Sequence, residues 1–356
     1  MTKIKMKTKF NLNSLIRENI KSLKPYSSAR DEYKDANTKE MIFLDANENP
    51  FENGVNRYPD PQQNNVKDEL SSLKGVDKKN ILLGNGSDEI LDLIYRAFCE
   101  PNKDNIITLP PTYGMYKVLA SVNAIENRKI LLTEDFQPQV EQILEAVDSN
   151  SKILFLCSPN NPTGNSFSAD VVEELLTKFN GLVVIDEAYI DFSEQKSWLD
   201  RLEEFPNLVI TQTLSKAFGL AGIRLGVCYA SVEIIAILNS IKFPYNVNEL
   251  TQQRALIRLQ KLDEVKNEIA QLISERKRLT EELECCVPFI EKVYPSDGNF
   301  LLIKVDDATK RYNQLIEYGV IVRNRTQEPL CENCLRISVG VCEENQSLLR
   351  ALKSLK

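Results

Sequence analysis

Leu182-Val183-Val184-Ile185-Asp186-Glu187-Ala188-Tyr189 is the stretch from which the architecture can be read. Its first four residues are apolar without alternation, as in a strand buried on both faces rather than one with a wet side. An acid ends the run. Ligands of open α/β sheets gather at the carboxyl ends of the strands, and a carboxylate buried there is costly unless a positive group meets it. Standing alone, Asp186 would read as the N-cap of a following helix.

Working outward, further apolar runs fall at Ile106–Leu109, Ile130–Leu132, Ile153–Cys157, Leu208–Thr211 and Gly226–Ala230. Amphipathic segments such as Val140–Val147 and Val171–Phe179 lie between them. The pattern predicts an α/β fold, a large domain whose mostly parallel central sheet is covered by helices. Between Asn248 and Glu284, the residues Leu259, Leu262, Val265, Ile269, Leu272, Leu279 and Leu283 recur at helical spacing. That is long for one globular helix, so two helices or one spanning two lobes are expected. Strand, helix, strand, strand follow at Phe300–Val305, Ala308–Glu317, Val320–Arg323 and Leu335–Val339, which predicts a small α+β domain. The expected division is an N-terminal arm over 1–50, ending in the strand-like Met41–Leu44 and joining the small domain. A large domain follows over 51–250, then the small domain over 251–356, entered by the long helix.

Composition removes whole classes of function. The formal net charge of -7 argues against a nucleic-acid partner, which would want a basic face. No run is long enough to span a bilayer and no signal-peptide core follows Met1–Phe10, so a soluble, cytoplasmic protein is expected. The chain has no histidine, which excludes Ser-His-Asp and Cys-His catalysis and imidazole acid–base work together. Lys, Asp, Glu, Tyr, Cys or a cofactor must carry any chemistry. Eight cysteines are expected to be reduced thiols. Cys331-Glu332-Asn333-Cys334 has redox or zinc spacing, but zinc needs two more ligands and no metal site is expected.

Thr213-Leu214-Ser215-Lys216-Ala217-Phe218-Gly219-Leu220-Ala221-Gly222-Ile223-Arg224-Leu225-Gly226 places a lysine just after a buried strand in a turn of small residues. Covalent catalysis by lysine needs a partly desolvated amine beside its carbonyl partner. The glycines allow backbone to approach a ligand, and Ser215 and Arg224 suit a phosphate, Arg offering a rigid fork of donors. Gly84-Asn85-Gly86-Ser87-Asp88-Glu89 opens a helix whose free amides can bind phosphate, with Ser87 as its N-cap. Ser158-Pro159-Asn160-Asn161-Pro162-Thr163-Gly164 and Pro110-Pro111-Thr112-Tyr113-Gly114-Met115-Tyr116 each follow an apolar strand. As isolated segments, they also read as a plain loop and as an ordinary core or surface tyrosine.

In this order, the motifs resemble the fold-type I pyridoxal-phosphate (PLP) aminotransferases over nearly the whole chain. The resemblance implies pyridoxal 5′-phosphate as cofactor and Lys216 as the Schiff-base lysine. It pairs Asp186 with the pyridine nitrogen, gives Tyr189 and Asn161 the ring hydroxyl and stacks Tyr113 on the ring. Ser87, Asp88, Ser215 and Arg224 match the phosphate cup. Leu23-Lys24-Pro25-Tyr26, Leu44-Asp45-Ala46-Asn47-Glu48-Asn49-Pro50, Arg57-Tyr58-Pro59-Asp60-Pro61, Ile321-Val322-Arg323-Asn324-Arg325 and Leu335-Arg336-Ile337-Ser338-Val339-Gly340 narrow it to a likeness with the histidinol-phosphate aminotransferase family. That likeness implies histidinol phosphate and the glutamate/2-oxoglutarate pair as substrates, with Tyr26, Asn47, Arg323 and Arg336 as substrate contacts. It also implies a homodimer in which Tyr58 reaches the neighbouring cofactor phosphate. An aromatic aminotransferase or a threonine-phosphate decarboxylase would share every cofactor residue and differ in the substrate pocket.

Overall fold

The computed structural model describes residues 10–24 and 42–355. Seven strands form the larger sheet: β1 Ile81–Asn85, β2 Asn105–Thr108, β3 Glu126–Lys129, β4 Ser151–Cys157, β5 Leu182–Asp186, β6 Leu208–Thr213 and β7 Leu225–Ala230. Their spatial order is β1-β7-β6-β5-β4-β2-β3, with β7 antiparallel to both neighbours and the other pairs parallel. Strand β5 shows why the opening run lacks alternation. Val183 and Ile185 enter one hydrophobic core and Leu182 and Val184 the other, so the sheet is covered on both sides. The register aligns Cys157 with Asp186 and Asp186 with Thr211, which puts the carboxyl ends of three central strands at one level.

The smaller sheet is antiparallel, in the order β10-β11-β9-β8, from β8 Ile290–Val293, β9 Phe300–Val305, β10 Arg323–Asn324 and β11 Cys334–Ser338. Leu301, Ile303, Leu335 and Ile337 turn toward a core of their own with Leu279, Leu283 and Leu352. The alternate residues Phe300 and Leu302 join the core of the large sheet, and Leu302 is the register partner of Arg336. Period-two alternation therefore aims Arg336 toward the large sheet.

The expected helical stretch is two helices, Glu249–Leu259 and Leu262–Cys286. The first is capped by Asn248, whose side chain accepts from the Thr251 amide. The second touches both cores, through Val265 at one end and Leu279 and Leu283 at the other.

Several expectations are corrected. Ile130–Leu132 is not a strand; the strand is the polar Glu126–Lys129, which pairs only with β2 at the sheet edge and so needs no apolar run. Val320–Arg323 shrinks to Arg323–Asn324. Residues 42–44 of the strand-like Met41–Leu44 form no strand, and Ile42 and Leu44 are exposed. Over residues 10–24 the arm lies against the core that holds helix Ser87–Phe98, where Leu15 is buried, and Arg17 pairs with Glu100 at 3.2 Å. Among the cysteines, Cys285 and Cys286 are joined by a disulfide, against the expectation of thiols throughout, while the other six are free.

Candidate active site

A cavity of about 450 Å³ opens at the carboxyl ends of the central strands. Strand β6 delivers Lys216 into it through a turn closed by the Leu214 amide on the Leu225 carbonyl and by the Gly219 amide on the Lys216 carbonyl, both at 3.0 Å. The ammonium lies 5.6 Å from the centre of the Tyr189 ring. Lys216 is open to the cavity yet walled by protein. Desolvation, then the charges of Arg336 and Arg224, hold its pKa below the usual lysine value.

Asp186 ends β5 on the cavity floor. It accepts from the Tyr116 hydroxyl at 2.8 Å and from the Ala188 amide at 3.2 Å. Burial raises its pKa above the ordinary aspartate value despite these two hydrogen bonds. Tyr116 is wholly buried, stacked on Phe155 with ring centres 4.7 Å apart. Asp186 is therefore fixed in orientation, and a cation placed beside it would be stabilised strongly.

The anion cradle is built where β1 meets β7. Gly84 and Gly226 are register partners, and a Cβ on Gly226 would lie 2.3 Å from the Ser87 amide. Gly86 has φ +76°, and a Cβ there would lie 2.7 Å from the Arg224 guanidinium. Only glycine lets helix Ser87–Phe98 start this close to Arg224. Ser87 is the first helical residue and Gly86 the N-cap, so the predicted cap role of Ser87 is corrected. The helix has no side-chain cap, which leaves its first amides for a ligand. Asp88 accepts from the Tyr113 hydroxyl at 3.0 Å and lies 3.7 Å from the Arg224 guanidinium.

The small sheet closes the cavity. Arg336 donates to the Asn161 side-chain oxygen, and the Asn161 amide donates to the Tyr189 hydroxyl at 3.4 Å. Desolvation, then Arg325, lowers the Arg336 pKa. Arg323 stands directly opposite Arg336 in the β10–β11 pairing.

Lys216, Asp186, Tyr189, Ser87, Asp88, Tyr113, Asn161, Ser215, Arg224, Arg323 and Arg336 thus line one cavity, as sequence reasoning placed them together. Asn47 and Tyr58 do not. They line a separate surface groove with Glu48, Arg57 and Leu250, where Tyr58 stacks on Tyr245 at 4.5 Å. Tyr26 lies outside the described residues. Sequence reasoning assigned no role to Tyr116, in the first turn of helix Met115–Val122 three residues beyond Tyr113, or to Arg325, two residues beyond Arg323 on an extended segment, a spacing that returns to the same face.

Residues 31–352 match the family model for aminotransferase class I and II. The chain is 69% identical to the histidinol-phosphate aminotransferase of Flavobacterium johnsoniae, over 97% of this chain and 99% of that protein. It is 62% identical to the one from Christiangramia forsetii, over 98% and 99%. The chain belongs to the histidinol-phosphate aminotransferase family. Among solved structures, the histidinol-phosphate aminotransferase of Clostridium acetobutylicum shares the fold with a TM-score of 0.78, at 24% identity over 84% of this chain and 90% of that one. In this aminotransferase the mostly parallel sheet supplies the cavity floor and the antiparallel sheet its arginine-rich wall. No helix among the described residues is long and apolar enough to cross a membrane.

Proposed function

We propose that this protein catalyses the pyridoxal-phosphate-dependent transamination of L-histidinol phosphate with 2-oxoglutarate, giving imidazole acetol phosphate and L-glutamate, in histidine biosynthesis. One observation carries the reading: a lysine held toward its neutral form and a buried aspartate share a cavity with two separate cationic regions, Arg224 beside a helix N-terminus and Arg323 with Arg336 on the opposite wall. One region suits the phosphate of the cofactor and the other the anionic end of a substrate.

The residues fit pyridoxal phosphate. Burial holds the Asp186 pKa up, so a cationic ring nitrogen beside it would be stabilised, and the cradle at Gly86, Ser87, Ser215 and Arg224 has room for an anion only because Gly86 and Gly226 carry no Cβ. When bound, the cofactor supplies an electrophilic carbonyl and an electron-withdrawing ring that stabilises negative charge at the substrate α-carbon. The protein does the rest. Asp186, oriented by Tyr116, favours a protonated pyridine nitrogen. The Lys216 amine, its pKa lowered chiefly by burial, takes and returns a proton at its Nζ. Tyr189 and Asn161 present a hydroxyl and an amide to the ring oxygen. Arg323 and Arg336 hold the substrate phosphate, and the carboxylate of glutamate in the return half-reaction.

The active unit in this proposal is a cytoplasmic homodimer. Ile42, Leu44, Phe51, Tyr58, Phe243 and Leu250 are large apolar side chains left exposed near the Tyr58 groove, and covering them would bring Tyr58 to a neighbouring cradle. The deciding assay compares histidinol phosphate, phenylalanine and threonine phosphate, following glutamate formed from 2-oxoglutarate. A clear preference for histidinol phosphate is expected; preference for phenylalanine, or release of carbon dioxide from threonine phosphate, overturns the assignment.

A further inference from the structure

Arg325 lines the cavity beside Arg323 and Arg336. Its amide donates to the Cys334 carbonyl at 2.8 Å, which extends the β10–β11 pairing past Asn324. Arg325 therefore follows Arg323 at the two-residue spacing that returns a side chain to the same face. Its Nε is buried and has no hydrogen-bond partner. The acid nearest to hand, Glu328, approaches only to 3.8 Å, too far for a hydrogen bond. Glu328 sits on a turn whose amide donates to the Arg325 carbonyl at 2.9 Å, and it lines the same cavity.

The like charges make this arrangement costly without a ligand. Arg323 and Arg336 are directly opposite in the sheet, and like charges so placed repel. The charge of Arg325 bears on Arg336 more strongly than that of Arg323 does, and it is also felt at Tyr189. A buried donor left unmade carries its full desolvation cost. One loosely placed carboxylate cannot satisfy three guanidinium groups. A phosphate monoester has three terminal oxygens, each able to take paired N–H donors.

We propose that Arg325 is a third guanidinium contact for the phosphate end of the substrate, and that Glu328 is a place-holding acid which the arriving phosphate displaces from it. This rests on the transaminase reading above for its substrate, though not for its anion. The incoming dianion removes the repulsion among the arginines and fills the empty Nε, while Glu328 swings to solvent. A neutral analogue gains nothing from Arg325 and leaves Glu328 in place, which sharpens the preference for a phosphorylated substrate.

The test is a double-mutant cycle on the cofactor-loaded enzyme with R325Q, R325K, E328Q and R325Q/E328Q. Inorganic phosphate is the probe, read by the shift it causes in the visible absorbance of the bound cofactor. Steady-state kinetics with histidinol phosphate and histidinol accompany it. R325Q should raise KM for histidinol phosphate about ten-fold and harm histidinol less, the size expected for one charge-assisted contact. R325K should recover part of the loss. E328Q should tighten phosphate binding, and that gain should vanish in the R325Q background. An equal gain from E328Q with and without Arg325, or equal losses on the two substrates in R325Q, overturns the proposal. If histidinol phosphate is not turned over by the wild type yet phosphate binding still depends on Arg325, the functional reading fails and the anion contact stands. If it is turned over normally and R325Q changes neither readout, the anion contact alone fails.

Discussion

At the scale of single residues, the site works by placing groups where their ordinary charge states are unfavourable. Lys216 is pushed toward the neutral amine by burial and by two arginines, and Asp186 is pushed toward the neutral acid by burial and, less, by the charge of Asp88. Each departs from the ordinary value for its side chain. Lys216→Ala should abolish transamination and the borohydride-fixed attachment of cofactor, while dialysis against low cofactor still shows some non-covalent binding. Retained turnover without added amines would remove Lys216 from the chemistry. Because its pKa is depressed, Lys216 in cofactor-free protein should lose its proton at lower pH than surface lysines. Amine-selective labelling near pH 8, read by mass spectrometry, should therefore favour Lys216, and Arg336→Met should weaken that preference by removing a positive neighbour. Asp186→Asn should lower kcat by about 100-fold or more, since the group meant to hold a buried positive charge has become neutral. Near wild-type kcat would reduce Asp186 to a structural cap.

At the scale of elements, two strand pairings decide the geometry. Where β1 runs beside β7, Gly226 leaves no space for a side chain against the Ser87 amide. Gly226→Ala should push the first turn of helix Ser87–Phe98 away from Arg224. The measured result should be weaker cofactor binding with a lower Tm, a loss of about 1–3 kcal/mol in stability. Unchanged cofactor affinity would show that the cradle does not depend on this approach. Where β10 runs beside β11, Arg323 and Arg336 oppose each other, so function and stability pull apart. Arg323→Ala should reduce kcat/KM for histidinol phosphate about ten-fold. It should leave Tm in phosphate-free buffer unchanged or slightly raised, because removing one of two opposed cations relieves tenths of a kcal/mol. A fall in Tm together with equal loss on histidinol would make Arg323 a support for the hairpin instead.

At the scale of the whole molecule, the apolar surface around Tyr58 and Phe243 is the feature that a lone chain does not explain. Co-expression of Lys216→Ala with Tyr58→Phe chains tests a shared site. If Tyr58 serves the neighbouring cradle, a mixed dimer has one site with both residues intact, and random pairing restores about a quarter of wild-type sites. Activity no higher than that of the Tyr58→Phe protein alone, given that this variant is impaired, would confine each site to one chain.

What the sequence determined by itself was the part governed by short-range chemistry. Buried strands such as Leu182–Asp186 must be apolar on both faces, a reactive lysine must follow a strand in a glycine-rich turn, and a phosphate cradle needs glycines before a helix. Those constraints are written in consecutive residues, so most of the large sheet and the segments around Ser87, Asp186 and Lys216 could be read directly, while Asp88, Tyr113, Asn161, Tyr189, Arg323 and Arg336 were reached through the family resemblance. Edge strand Glu126–Lys129 escaped because an edge has water on one side and imposes no apolar pattern. Only the tertiary structure could decide contacts between distant segments. The hydrogen bond from Tyr116 to Asp186, the Gly226 approach to Ser87, the packing of residues 10–24 against the core that holds helix Ser87–Phe98 and the face shared by Arg323, Arg325 and Arg336 all depend on how elements meet. Register and packing fix those meetings, and one residue of strand slip would turn every side chain to the other face.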